Sequence, residues 1–151
     1  MFRSIIIANH RFDGLTLAQV TTAEKSNEIT AIPEVLRLVD LKVAIITIDA
    51  MGTQMAIAKQ IVEGEGDYMQ ALIEDQPGLS EPIKAYAEHH IKSDFGNIEV
   101  DRYVTEEKGH GRLERRKTIQ FSVPDDLPDR ECWAKLKSIG MVTLTCTRNG
   151  K

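Results

Sequence analysis

The run Val43-Ala44-Ile45-Ile46-Thr47-Ile48 is almost unbroken in apolar character and ends on a carboxylate, Asp49. A strand of this kind has no polar face to turn to water, so it predicts a central place in an α/β sheet with both faces covered. Beyond Asp49, Gly52 lets the chain reverse, and Thr53 can cap a helix carrying Ala56, Ile57, Gln60 and Ile61. Gly64 and Gly66 end that helix, and Asp67 to Ile73 reads as the next strand. Ligands of open α/β sheets collect beyond the carboxyl ends of strands, which is where Asp49 falls. An Asp after a strand also commonly serves as a turn or capping residue.

Upstream, Arg3 to Ala8 can form a short strand that His10 to Gly14 interrupts, and Leu15 to Thr21 alternates apolar and polar residues as a half-buried strand does. Ile32, Val35, Leu36 and Val39 recur at helical spacing, with Asn27 or Thr30 available as cap and Pro33 in the first turn. The order strand, helix, strand, helix, strand predicts two crossover units with parallel pairing. A looser half follows. Ile83, Tyr86, Ala87, His90 and Ile91 fit one helix face, and Ile98 to Val104 and Ile119 to Val123 alternate like an antiparallel pair. A helix around Cys132 to Lys137 and a strand around Met141 to Thr145 close the chain.

The 151 residues suffice for one domain with a real core. No apolar run approaches the roughly 20 residues that span a bilayer, and Ile5 to Ala8 is too short for a signal-peptide core, so a cytoplasmic address is expected. A net charge of −4 excludes a histone-like electrostatic DNA binder, and any nucleic-acid contact must come from a local basic patch. Cys132 and Cys146 lie far from each other and from any histidine pair, which suits reduced thiols.

That basic patch exists. Glu106-Glu107-Lys108-Gly109-His110-Gly111-Arg112-Leu113-Glu114-Arg115-Arg116, followed by Lys117, sets carboxylates among fixed positive charges. Such a run also reads as a solvated, salt-bridged hairpin. The glycines beside His110 let the backbone approach a ligand closely, and a neutral imidazole there could bind metal or orient a phosphate.

Four segments, taken in order, resemble one family. They are Glu24 to Glu34, Ile48 to Gln54, Glu107 to Arg115, and Leu136-Lys137-Ser138-Ile139-Gly140-Met141-Val142. The family is that of insertion-sequence DDE transposases related to the H-repeat-associated proteins. The resemblance covers about Gly14 to Val142 and implies an RNase H-like catalytic core: α/β, a mixed sheet flanked by helices, incomplete here, with an antiparallel β extension in the C-terminal half. It implies that Asp49 is the second catalytic aspartate and Glu114 the catalytic glutamate, both metal ligands. His110, Arg112 and Arg115 match the charged residues that flank that glutamate, and these three with Arg116 and Lys117 are the expected DNA contacts. The cofactor implied is Mg²⁺ or Mn²⁺, because hard cations favour oxygen ligands.

The family's first aspartate stands in an Asp-Gly-Lys motif ahead of the segment that matches Leu15 to Val20. Residues 1–13 do not resemble that region, and Asp13 comes too late in the fold to replace it. Residues 143–151 are likewise unmatched, which leaves 14–142 as a partial catalytic domain. Ile73 also replaces a basic residue in the family's usual pattern. These departures predict a truncated transposase, inactive or nearly so alone, whose partners are insertion-sequence ends. The alternative is a non-catalytic DNA-binding or regulatory fragment that self-associates or associates with full-length transposase.

Overall fold

The computed structural model describes residues 5–9, 16–21, 28–49, 52–72, 77–109 and 111–148. Asp13, Asn27, Ile73 and His110 lie outside that set. The chain divides into two compact units. One comprises Met1–Ser80 with Glu131–Lys135, and the other Glu81–Arg130 with Leu136–Lys151. Among the described residues no helix is long and apolar enough to cross a membrane.

In the first unit, β1 (Ile5–Asn9) pairs antiparallel with β2 (Thr16–Thr21). β3 (Ile45–Ile48) pairs parallel with β4 (Asp67–Gln70), joined by α2 (Met55–Glu63). α1 (Glu28–Leu38) lies beside β1, β2 and α2. Leu36, Leu41, Ile57 and Ile61 form the buried cluster, with Ile32, Val39, Ile46, Ile48 and Tyr68 packed on it. The helical spacing of α1 and α2 supplies one side of this cluster, and alternate residues of β3 and β4 supply the other. The Gln60 Nε2 donates to the Pro33 carbonyl at 3.0 Å and ties the two helices together. Gly66 must be glycine, since a Cβ there would lie 2.8 Å from the Leu41 carbonyl oxygen.

Several expectations change in this unit. The strand begins at Ile45, not Val43, because residues 41–44 form a turn closed by the Ala44 amide on the Leu41 carbonyl, with Val43 at φ 60°. β3 is covered on one face only: Ile45 is 71 % exposed while Ile46 and Ile48 pack on the core. Among the described residues β2 and β3 belong to different sheets, so a single parallel crossover unit forms where two were expected. β1 pairs with β2 and does not stand in for a strand beside β3. Pro33 falls inside α1, past its first turn. The helix tolerates the lost hydrogen bond because Ala31, Val35 and Leu36 are buried around it.

The second unit is built on the antiparallel order β5–β6–β7: β5 (Val100–Gly109), β6 (Arg112–Ser122) and β7 (Ser138–Arg148). α3 (Pro77–Ile91) enters this unit at Glu81. Ala87, Phe95 and Phe121 form its buried cluster, with Tyr86, Ile98, Val100, Ile119, Ile139 and Met141 against it. The period of two fixes which strand residues take part. Val100, Phe121 and Ile139 share one register row and Ile119 and Met141 the next but one, all on the same face. The expected helix over Cys132 to Lys137 is a 3₁₀ turn at Arg130–Cys132, and the chain then enters β7. β7 runs from Ser138 through Val142 and Thr143 to Arg148 without a break.

Candidate functional site

Asp49 follows the last residue of β3 and is exposed at the carboxyl end of the parallel pair. The Gly52 amide donates to its backbone carbonyl at 3.2 Å and to its Oδ1 at 3.4 Å. Oδ2 has no protein partner among the described residues. A side chain at Gly52 would collide with the Ile48 Cγ2 and with the Ile32 Cδ1, which would lie 2.6 Å from the added Cβ, so both isoleucines would have to shift to admit one. Thr53 caps no helix, because Gln54 takes the N-cap position of α2. Its hydroxyl lies 2.6 Å from the Ala71 carbonyl and 3.2 Å from that of Asp49, which staples the ends of β4 and β3 together. The Ala71 amide completes the staple by donating to the Ile48 carbonyl at 3.1 Å.

Sequence pattern alone does not mark Gln70. It pairs in register with Ile48, one residue before Asp49, and both atoms of its buried amide lack a partner among the described residues. The available signal was positional: an amide at the carboxyl end of the strand that pairs with β3.

The basic segment forms β6 and the turn leading into it, where Gly111 adopts φ 73°. Alternation splits the sequence-assigned residues between two faces. Arg112, Glu114 and Arg116 share one, and Arg115 and Lys117 the other. Glu114 is the least exposed of them, at 13 % of its side chain, and both its oxygens are taken. Arg112 Nε reaches Oε1 at 2.7 Å, and Arg116 Nη2 reaches Oε2 at 2.7 Å. Arg116 also contacts Glu107, the cross-strand partner of Glu114, at 3.2 Å. On the opposite face Arg115 contacts Glu106 at 3.2 Å. Lys117 is exposed and forms no ion pair among the described residues.

Asp49 therefore belongs to one compact unit and Glu114 to the other. Among the described residues no three His, Cys, Asp or Glu side chains gather where they could hold a metal ion. Asp49 has the chemistry of a hard-cation ligand and a free oxygen to offer. Glu114 has that chemistry too, but its oxygens are closed by two guanidinium groups.

Comparison of the whole sequence with known proteins adds a second line of observation. The chain is 43 % identical over 136 residues to the "H repeat-associated putative transposase YhhI" of Escherichia coli, which covers 89 % of this chain and 35 % of the relative. It is 42 % identical over 125 residues to the H repeat-associated protein YbfD of the same organism, covering 83 % and 48 %. A protein encoded in the dhlA 3′ region of Xanthobacter autotrophicus is 38 % identical over 138 residues, covering 91 % and 45 %. The chain belongs to the H repeat-associated transposase family and spans about a third to a half of the length of these relatives. No family model matches the chain, and no solved structure matches it.

Proposed function

We propose that this chain is part of the catalytic region of an insertion-sequence DNA transposase, with an RNase H-like core organised around β3. One observation carries the reading: Asp49 ends a strand of a parallel pair, where α/β sheets gather ligands, in a chain of this family. Asp49 and Glu114 are each assigned as ligands of Mg²⁺ or Mn²⁺. Such ions, when bound, activate the attacking oxygen and stabilise the leaving one during in-line displacement at phosphorus.

The chain's own residues set conditions on that chemistry. Asp49 is held by the Gly52 amide and by the Thr53 staple, which leaves one oxygen outward. Glu114 becomes available only when Arg112 and Arg116 leave it for phosphate oxygens, which guanidinium groups can bind in bidentate fashion. DNA binding and the opening of Glu114 are thus one exchange. Arg115 and Lys117 act from the opposite face, as further charge for a bound strand. Two carboxylates do not complete a three-carboxylate site, so the 151 residues alone are expected to cut DNA little or not at all.

The test is a nicking and strand-transfer assay on terminal inverted-repeat DNA with Mg²⁺ or Mn²⁺. Efficient activity of this chain that Asp49→Asn leaves intact would overturn the assignment of Asp49.

A second reading is a DNA-binding or regulatory fragment without catalysis, and it is favoured by the closed state of Glu114. Its signature is salt-dependent binding to element-end DNA that weakens when Arg112, Arg115 and Arg116 are changed together, with no response to divalent metal. No binding at low salt would dispose of both readings.

A further inference from the structure

We propose that β7 is a self-pairing edge, along which two copies of the chain join antiparallel about a two-fold axis at Thr143 to make one six-stranded sheet. This inference stands apart from the transposase reading. β7 is hydrogen-bonded to β6 on one side, and no strand among the described residues lies on the other. Unpaired strand edges are templates for a further strand, and proteins guard them with charges, prolines or bulges. β5, the opposite edge of this sheet, carries Asp101, Arg102, Glu106, Glu107 and Lys108 within its ten residues. β7 carries one charge, Arg148, in eleven residues, and it has no proline and no register shift against β6.

The composition of β7 also selects a register. Thr143 is the midpoint of Ser138–Arg148, so an axis there pairs every residue of the strand. It places Val142 opposite Leu144 of the second copy, twice over, on the face that β7 shares with Tyr103 and Thr118. Val142 is 62 % exposed and Leu144 56 % exposed in the single chain, and cross-strand pairing of branched side chains covers both. Arg148 falls opposite Ser138, so no like charges meet. A shift by two residues either way breaks the reciprocal Val142–Leu144 pairs and shortens the overlap. The pairing is isologous and uses up the edge, while the charged β5 edge resists addition, so a closed dimer forms and not a fibre. A single strand pair buries less than the roughly 1,200–2,000 Å² of a standard interface, so a weak, reversible dimer is expected.

Sedimentation equilibrium of the full chain, from about 1 to 100 µM, should show a reversible dimer. Thr143→Lys or Thr143→Glu sets like charges face to face at the axis and should weaken it about tenfold or more, and mixing the two variants should restore it. With Cys132 and Cys146 changed to Ser, Thr143→Cys should form a disulfide dimer on oxidation. With Cys132 changed to Ser and Thr143 retained, the chain should not form one, because Cys146 faces Gly140 of the other copy. A monomer at every concentration overturns the proposal, including one whose β7 amides resist exchange because another segment covers them. So does a dimer indifferent to charge at position 143, one linked through Cys146, or assembly into larger aggregates.

Discussion

Replacing Glu114 by Gln keeps the shape of the side chain and removes its charge. Glu114 now accepts from Arg112 and Arg116 at 2.7 Å each. Gln retains one acceptor oxygen, and its amide NH₂ turns donor against donor toward the other guanidinium. Hydrogen bonds to charged groups contribute about 1.5–3 kcal/mol each. The arginine side chains are 51 % and 39 % exposed, so solvent screens part of that gain and the expected net loss is about 1–2 kcal/mol. Urea unfolding should show it as a midpoint lowered by about 0.5–1 M with the slope unchanged. DNA affinity should move the other way. Arg112 and Arg116 no longer have to leave a carboxylate before gripping phosphate, so binding measured by fluorescence anisotropy in the absence of metal should tighten about three- to tenfold. Weaker binding by the variant would refute the exchange, because it would mean that Glu114 holds the arginines ready for DNA.

Three other perturbations test the structure from different sides. Ile61 is fully buried between α1 and α2, and Ile61→Ala should cost about 2–5 kcal/mol in equilibrium unfolding. Thr53→Val leaves the Ala71 and Asp49 carbonyls without their shared hydroxyl, so a loss of about 1–3 kcal/mol is expected, together with faster hydrogen exchange at Ala71. Burial raises the pKa of Tyr68 above its ordinary value of 10.0, and its hydroxyl has no partner among the described residues. The folded state therefore keeps its proton where the unfolded state has lost it. This contribution is complete below the unfolded pKa and falls away as pH rises through the folded one. Tyr68→Phe should be neutral or slightly stabilising at pH 7 and should flatten the alkaline loss of stability.

Much of this architecture is legible in the residues. The spacing of Ala56, Ile57 and Ile61 locates α2, and Gly64 marks its end. The alternation around Val104 and Ile119 identifies β5 and β6 as an antiparallel pair, and both run further than the apolar residues alone suggest. The extension consists of charged residues whose cross-strand ion pairs, Arg115 with Glu106 and Arg116 with Glu107, support a strand that no apolar pattern announces. The apolar run at Val43 to Ile48 misleads for a related reason. An unbroken run states what a strand could bury but not what is present to cover it, and here one face stays open at Ile45 and Met69. The site divides in the same manner. Asp49 is readable from its place after a strand. The closure of Glu114 is not, because it depends on Arg112 and Arg116 sharing its face at positions two residues away on either side.

The central claim is that Asp49 and Glu114 are each ligands for a hard cation and that DNA frees Glu114 for that role. Paramagnetic broadening by Mn²⁺ of the isotope-labelled chain tests it directly, with and without element-end DNA. Without DNA the amides of Gly52 and Ala71, beside Asp49, should broaden while those of Glu107 and Cys146, opposite Glu114, stay sharp. With DNA both sets should broaden together. Broadening that remains confined to the Asp49 side when DNA is bound would contradict the account.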